Sequence, residues 1–350
     1  MTAVIIVPKI IFGYRDDIGL ILRGLSELFF QINIASKMVL FVWRIEKFEQ
    51  MLVVLRKWFK KTLSSDIDSE ESKAFIQCNR TNDRISKKYF IRLFTIASLF
   101  SVTPYMFSTF VYMTFDRENS TEPIEFLTQM EQEFYGLSIR TNFLHYSIFS
   151  LCSTLVYYSG AYTIFAEASS YYCSNKCCSQ MFSVISLRIA KLASVKKSEQ
   201  KDELNDIVAM HVDALKCVKL LDENSMFASL MQVSNCLLIW SSMGIYLTYN
   251  FGYGALNLLM LFSIVTVETY VRCLLGEELS QKSFDVQQAV YDFPWYEAPV
   301  SIRKSLLRMM QRAQTQVGVT VGGYCFLDIE LFGSVTQKSY STYVVMKNCL

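Results

Sequence analysis

The longest charge-free stretch of this chain runs from Asn224 to Val267 and holds 44 residues without Lys, Arg, Asp or Glu. A helix needs about 20 apolar residues to cross the hydrocarbon core of a bilayer, so this stretch is about twice the length of one span. It is interrupted by Phe251-Gly252-Tyr253-Gly254, and glycines in this spacing favour a turn. The stretch therefore predicts two transmembrane helices joined by a tight turn.

Three further segments have the length and apolar character of membrane spans. Leu93 to Phe115 supplies 23 uncharged residues and Thr141 to Ala166 supplies 26, whereas the final segment, Val317 to Met346, is less apolar. Of the 350 residues, 52% are hydrophobic, which is too many for an ordinary soluble protein of this length. With no internal repeat or linker, we expect residues 1–350 to form a single membrane domain.

The segment from Ile18 to Trp43 is a further candidate span, but it carries Arg23, Glu27 and Lys37. Each charge costs roughly 2.5 to 3.5 kcal/mol at a helix centre, so we expect these side chains to face protein or a wet cavity. Residues 1–13 are apolar but too short to span, and we interpret them as the remnant of a truncated first span. The sequence thus predicts an all-α, polytopic transmembrane bundle of about six to seven spans with cytoplasmic helical extensions.

The distribution of charge predicts the orientation of the chain in the membrane. Residues 44–92 hold 12 basic and 7 acidic residues, whereas residues 116–140 hold 6 acidic and 2 basic residues. By the positive-inside rule the first loop is cytoplasmic and the second is outside, and alternation then places the C-terminus outside. The sequon at Asn119 falls in the outer loop, so we expect Asn119 to be glycosylated in a multi-pass plasma-membrane protein.

The residues that catalysis requires are scarce. The chain has two histidines; His145 lies in a predicted span and His211 lies on an amphipathic stripe with residues 204, 207, 208, 215 and 218. Neither histidine has the neighbours that a nucleophilic or zinc site needs, and the glycine patterns that hold phosphates are missing. We therefore predict no enzyme, no catalytic residue, no metal site, no cofactor and no nucleic-acid partner, and we favour helix packing over a pH-sensitive contact for His211.

Aromatic residues are frequent in the predicted outer halves of the spans. An apolar, aromatic-lined pocket suits a small, volatile, lipophilic ligand, although any one of these rings could instead pack helices or sit at the membrane interface. The candidate ligand-binding residues are Phe30, Tyr105, Phe110, His145, Tyr146, Phe149 and Tyr246.

The final segment is the candidate ion pathway. Its glycines, Gly318, Gly322 and Gly323, would permit close approach of neighbouring helices. From Gln337 onward polar residues, including Thr342, alternate with apolar ones. This pattern fits a pore helix in an oligomer, with an apolar constriction between wet positions. It fits a polar helix buried inside one protomer equally well.

The C-terminal part of the chain resembles the signature of insect odorant receptors. His211, with Leu221-Asp222-Glu223 ten residues further on, resembles the segment that leads into the fifth span of that family. The signature itself is carried by Cys273-Leu274-Leu275-Gly276-Glu277-Glu278-Leu279, Ala289-Val290-Tyr291, Trp295-Tyr296, Lys304-Ser305-Leu306-Leu307, Arg312-Ala313-Gln314, Phe332 and Lys338-Ser339-Tyr340-Ser341.

This resemblance implies an odorant-specific subunit of a ligand-gated non-selective cation channel in the plasma membrane of sensory neurons. Such a subunit has seven spans in an inverted orientation, with a cytoplasmic N-terminus and an extracellular C-terminus. It assembles as a heterotetramer with a shared co-receptor subunit. The resemblance assigns ligand binding to residues 14–270 and the anchor helices and pore helix to residues 271–350. By the same likeness, Met346 and Leu350 match the hydrophobic gate, and Gln337 and Thr342 would lie along the pore.

Two other receptor classes stay open at this point. Thr342-Tyr343 also resembles the terminal motif of gustatory receptors, which makes a gustatory receptor-type channel the nearest alternative. A metabotropic G-protein-coupled receptor is a weaker alternative. Asp116-Arg117-Glu118 is similar to a motif of that class, but charge places it in the outer loop and the chain has no Asn-Pro.

Overall fold

The computed structural model describes residues 18–65, 141–249 and 253–349, together with residues 138–139 and short helical pieces between residues 76 and 95. The chain divides into two compact units, one made of Met1–Arg84 and Ser170–Leu350 and the other of Ile85–Ser169. Tyr105, Phe110, Asn119 and Leu350 lie outside the described residues.

The described chain is mostly helical, as the sequence predicted. In chain order the elements are α1 (Ile18–Trp43), α2 (Ile45–Ser65), α3 (Phe143–Leu192), α4 (Gln200–Tyr249), α5 (Tyr253–Asp292), a 3-10 turn (Trp295–Glu297), α6 (Val300–Ala313), β1 (Thr320–Val321), β2 (Cys325–Phe326) and α7 (Ile329–Cys349).

Within the described residues, α3 and α4 are each long and apolar enough to cross a membrane. A bend of 63° separates Leu28–Trp43 from Ile45–Thr62, and this bent pair would make a third span if counted as one. The predicted interruption of the long charge-free stretch falls between α4, which ends at Tyr249, and α5, which begins at Tyr253.

Helices α1 and α2 run antiparallel along α4. Near the start of α1 the hydroxyls of Ser26 and Ser242 are 2.7 Å apart. Near the end of α2 the Lys61 ammonium lies 3.1 Å from the Asp206 carboxylate. Positions on α4 therefore fall in number as positions on α1 and α2 rise, and the two short helices follow one long helix over most of its length.

The ends of the helices away from the charge-free stretch form a second packed layer, which we call the extension bundle. It consists of α2, residues 170–192 of α3, residues 200–223 of α4, residues 272–292 of α5, and α6. Helical spacing of apolar residues predicted such extensions, and complete burial of a large apolar side chain contributes about 1.5 to 3 kcal/mol. Its buried side chains include Met51, Leu55, Trp58, Phe182, Ile185, Leu204, Ile207, Met210, Val286, Val290, Ile302 and Leu306.

The expectation of one apolar helix from Val317 to Met346 is wrong for its first twelve residues, because the helix begins at Ile329. Before it lies a hairpin in which β1 pairs antiparallel with β2. Gly322 and Gly323 form its turn with φ values of 62° and 82°, a conformation that glycine adopts without strain. These two glycines serve a turn and not the close helix approach that we expected.

Two hydrogen-bonded carboxylates fix this hairpin between α4 and α7. Asp222 accepts hydrogen bonds from the Thr320 amide at 2.6 Å and the Thr320 hydroxyl at 2.7 Å. Asp328 caps α7, since its carboxylate accepts a hydrogen bond from the Leu331 amide at 2.8 Å. Asp222 therefore fixes the first strand of the hairpin to α4, and Asp328 fixes the first turn of α7.

Candidate functional site

The last helix, α7, is attached to the rest of the first unit along one face. The ring of Phe332 packs edge-on against Trp240 of α4 and Tyr270 of α5, with ring centroids 5.9 and 5.2 Å apart. Val335 and Ser339, which follow at helical spacing, are buried as well. This face is the hydrophobic and aromatic seam that holds α7 in place.

The other side of α7 is exposed and largely polar. Gln337 and Thr342, two of the predicted pore residues, are both exposed, whereas the predicted gate residue Met346 is half-buried and lies two helical turns after Ser339, on the packed face. The Thr342 hydroxyl donates to the Lys338 carbonyl at 2.9 Å, so its side chain is satisfied within the helix. A one-sided helix of this kind has a free surface that can contact water or another subunit.

The C-terminal half of α7, after Ser339, is held by a different kind of contact. The ring of Tyr343 lies directly over Gly244 of α4, where an added Cβ atom would be 2.7 Å from the ring carbon Cδ2. The Tyr343 hydroxyl is 3.1 Å from the Thr248 hydroxyl, one turn further along α4. Sequence patterns did not reveal this contact, because Gly244 is an isolated glycine in an apolar helix.

A buried polar cluster joins α1, α4 and α5. The Lys37 ammonium donates to Gln232 Oε1 at 2.6 Å and also pairs with the carboxylate of Glu268. Arg272 lies one helical turn after Glu268 and donates to the same carboxylate at 3.2 Å. Only 2%, 10% and 3% of the Lys37, Glu268 and Arg272 side chains are exposed. Lys37 thus faces protein, as we expected for a charge in this helix.

Amides and a hydroxyl extend the same cluster. Asn33, one turn before Lys37, donates to Gln232 Oε1 at 3.0 Å. Gln232 in turn donates to the Thr269 hydroxyl at 3.1 Å. The side chains of Arg23 and Glu27, the other two charges of α1, lie outside the described residues.

The predicted ligand-binding residues fall in both units. In the first unit, Phe30 is half-buried and packs against the main core, and Tyr246 is buried with Leu247 and Leu261. In the second unit, Tyr146 is buried on α3, and the half-buried side chains of His145 and Phe149 lie within one turn of it. Their assignment to a ligand pocket stays a prediction.

His211 is a packed histidine of the extension bundle. It is buried on α4, before the charge-free stretch, and its ring packs edge-on against Phe182 at 6.1 Å between centroids. Burial, followed by the positive charge of Arg312, lowers the pKa of His211 from 6.5 to about 4. The side chain is therefore neutral at physiological pH, which favours the packing interpretation.

Among the described residues, no group of three or more His, Cys, Asp or Glu side chains is arranged to hold a metal ion. The buried thiols of Cys178 and Cys217 meet at 3.4 Å between α3 and α4.

Comparison with known proteins identifies the relatives of this chain. It is 25% identical to odorant receptor 10 of Aedes albopictus over 147 residues, which covers 38% of this chain and 39% of that receptor. It is 25% identical to odorant receptor 49a of Drosophila melanogaster over 166 residues, which covers 45% of this chain and 41% of that receptor. The chain thus aligns with about two fifths of the length of each of these relatives.

The fold is that of a solved insect olfactory receptor. The structure of OR5 from Machilis hrabei in complex with eugenol matches this chain with a TM-score of 0.75 at 12% identity, over 100% of this chain and 86% of that one. The predicted helical membrane bundle is thereby confirmed. The family model of the 7tm odorant receptors, a family of receptors and not of enzymes, matches residues 17–340. The chain therefore belongs to the 7tm odorant receptor family.

Proposed function

We propose that this protein is the odorant-specific subunit of a ligand-gated non-selective cation channel. The match of the odorant receptor family model to residues 17–340 is the observation that carries this proposal. The subunit acts in the plasma membrane of olfactory sensory neurons. It assembles as a heterotetramer with a shared co-receptor subunit.

The ligand is a small, volatile, lipophilic molecule. An aromatic pocket suits such a ligand because apolar area supplies most of the binding free energy and a few polar groups orient it. The Machilis hrabei receptor of the same fold was solved in complex with eugenol, itself a small aromatic molecule. The pocket residues that we propose are Phe30, Tyr105, Phe110, His145, Tyr146, Phe149 and Tyr246.

The proposed ion pathway runs along α7. Gln337 and Thr342 supply polar groups at exposed positions of this helix. Met346 and Leu350 supply the apolar ring that closes the pore, although Met346 follows Tyr343 on the packed face of α7, so this part of the helix must turn or move for the ring to form. One α7 provides only part of the wall of an oligomeric pore, so conduction requires the other subunits. Odorant binding shifts the closed-to-open equilibrium in proportion to its preference for the open conformation.

Current recording from cells that express this protein with the co-receptor tests the proposal. We expect odorants from a chemically broad panel to evoke a cation current that persists when G-protein signalling is blocked. Cells that express the co-receptor alone are the control. If no odorant evokes a current although both subunits reach the cell surface, the proposal is wrong.

An antibody epitope at the C-terminus separates the rival class. We expect the epitope to be accessible on intact cells, because the C-terminus is extracellular by charge distribution. A metabotropic G-protein-coupled receptor ends in the cytoplasm, so an epitope that becomes accessible only after permeabilisation would favour that class.

A further inference from the structure

The contact between Tyr343 and α4 requires a glycine. An ideal Cβ atom built on Gly244 would lie 2.7, 3.0 and 3.3 Å from three carbons of the Tyr343 ring. Real side chains do not approach a Cβ atom at the first of these distances, so any other residue at position 244 would displace the ring. Gly244 and Tyr343 therefore form a matched notch and ring between α4 and α7.

A hydrogen bond of defined direction closes the same contact. The Thr248 hydroxyl lies 2.9 Å from the Gly244 carbonyl and donates its single hydrogen there. The Thr248 oxygen can then act only as an acceptor toward the Tyr343 hydroxyl, 3.1 Å away. Tyr343 is consequently the donor, and the bond needs the hydroxyls of both residues.

In the predicted orientation, the part of α7 after Ser339 is its outer half and the part before it is its inner half. The two halves differ in how they are held. The inner half has broad aromatic packing, with Phe332 between Trp240 and Tyr270, and Trp240 is itself anchored to α5 by donating to the Thr266 hydroxyl at 2.9 Å. Beyond Ser339, among the described residues, one side-chain hydrogen bond joins α7 to another helix, and it is the bond between Tyr343 and Thr248 of α4. In the outer half, the contact of Tyr343 with Gly244 and Thr248 is therefore the specific link to α4 among the described residues.

We infer that Tyr343 is a positioning residue for gating, because its contact with Gly244 and Thr248 tethers the outer half of the pore helix to α4. This inference rests on the proposed channel function. The outer half carries the proposed gate position Met346, which lies three residues after Tyr343. The tether is present in the arrangement of α7 that the structure shows and is lost when the outer half moves away from α4. Its loss therefore shifts the equilibrium between the closed and the open pore.

A double-mutant cycle between Tyr343 and Thr248 tests the inference in cells that co-express the co-receptor. Tyr343→Phe and Thr248→Val each remove one hydroxyl and keep the side-chain shape. We expect each to shift the half-maximal odorant concentration by roughly threefold to tenfold, in the same direction, since interhelical hydrogen bonds in membranes have modest strength. We expect the double variant to shift it no further than either single one.

Tyr340→Phe is the matched control. Tyr340 lies on the same helix and is exposed, and the structure shows no hydrogen bond for its hydroxyl within the described residues. This variant should leave the half-maximal concentration unchanged. Surface labelling of every variant ensures that a shift reports gating and not the number of receptors.

Gly244→Ala gives an independent measure, because it displaces the ring without removing either hydroxyl. We expect it to shift the half-maximal concentration in the same direction as Tyr343→Phe. If Gly244→Ala does not reach the cell surface, the Tyr343 and Thr248 cycle decides alone.

Two results would overturn the inference while the wild-type protein still gives an odorant-evoked current. One is the lack of a shift in both Tyr343→Phe and Thr248→Val. The other is fully additive shifts in the double variant. The lack of a current from the wild-type protein itself would instead overturn the proposed function.

Discussion

Replacing Glu268 by glutamine removes the carboxylate that Lys37 and Arg272 share in the buried polar cluster. All three side chains are at least nine-tenths buried, so water cannot replace the lost charge. Breaking a buried ion pair by removing one partner costs about 3 to 5 kcal/mol, because a charge stays buried without its counter-charge. Glu268→Gln leaves two cations without this carboxylate, and we expect a loss of stability in that range.

Replacing Lys37, the partner of Glu268, should cause a smaller loss of stability. Lys37→Met removes one cation and leaves the bond between Arg272 and Glu268 in place. It costs about 1.5 to 3 kcal/mol, which is the contribution of hydrogen bonds from a charged donor, since Gln232 and Glu268 keep Asn33 and Arg272 as donors. The double variant should therefore be more stable than Glu268→Gln alone, because it no longer buries the Lys37 charge.

Asp285→Asn on the same helix is the control for charge removal at the surface. Asp285 pairs with Lys282 at 2.8 Å, and the two side chains are 51% and 40% exposed. An exposed pair of this kind contributes about 0 to 1 kcal/mol. Thermal melting of the detergent-solubilised protein, followed by fluorescence-detected size exclusion, should rank Glu268→Gln lowest, Lys37→Met next, and Asp285→Asn close to wild type. A Glu268→Gln variant as stable as Asp285→Asn would refute this reasoning.

Three further predictions concern the hairpin, the extension bundle and the outer loop. An added Cβ atom at Gly276 would lie 1.9 Å from the Leu327 carbonyl oxygen, so Gly276→Ala should destabilise the protein by about 1 to 3 kcal/mol and lower its surface expression. Gly333→Ala is the control, because an added Cβ atom there meets no atom within 4 Å. Equal surface expression of the two variants would contradict the close packing at Gly276. Burial lowers the pKa of His211 from 6.5 to about 4, so the stability of the wild type should fall as the pH drops from about 6.5 to 4. His211→Leu should show a shallower fall in the same melting assay. Equal slopes for the two proteins would argue against a contribution of His211 to the pH dependence. Asn119→Gln should abolish the glycosidase-sensitive mass shift of the wild-type protein, and a shift that persists would argue against the outer position of this loop.

Two predicted spans, Thr141–Ala166 and the first part of the charge-free stretch, lie on α3 and α4, which are long and apolar enough to cross a membrane, because bilayer thickness acts on single segments. Most of Leu93–Phe115 lies outside the described residues. The charge-free stretch from Asn224 to Val267 is interrupted where α4 and α5 separate. The sequence also predicted that Lys37 would face protein or a wet cavity, since the cost of a charge in hydrocarbon is a local property, and the structure places it against protein. The partners of Lys37 could not be predicted, because Gln232 and Glu268 are each about 200 residues away and meet it only through helix packing.

The hairpin before α7 was missed for a physical reason. Residues 317–328 are apolar enough to resemble the start of a span, and composition does not reveal the positive φ angles of Gly322 and Gly323. The glycine pair and the capping position of Asp328 are the signals that could have revealed it.

At the candidate site, the sequence located α7 but not the residues that fix it. Its alternation of polar and apolar residues fitted a pore helix and a buried helix equally well, and the structure shows one exposed and one packed side. The contact of Tyr343 with Gly244 depends on the register between two helices, which one sequence does not determine.

Chemical modification of Gln337 tests the central claim, that α7 of this protein lines the odorant-gated pore. Gln337→Cys would be expressed with the co-receptor and exposed to a positively charged, thiol-reactive reagent from the extracellular side, with the unsubstituted protein as control. We expect irreversible loss of current only in Gln337→Cys, and faster loss when odorant is present, since the reagent must pass the gate. A labelled Gln337→Cys protein that conducts as fully as before would contradict a pore lined by this helix.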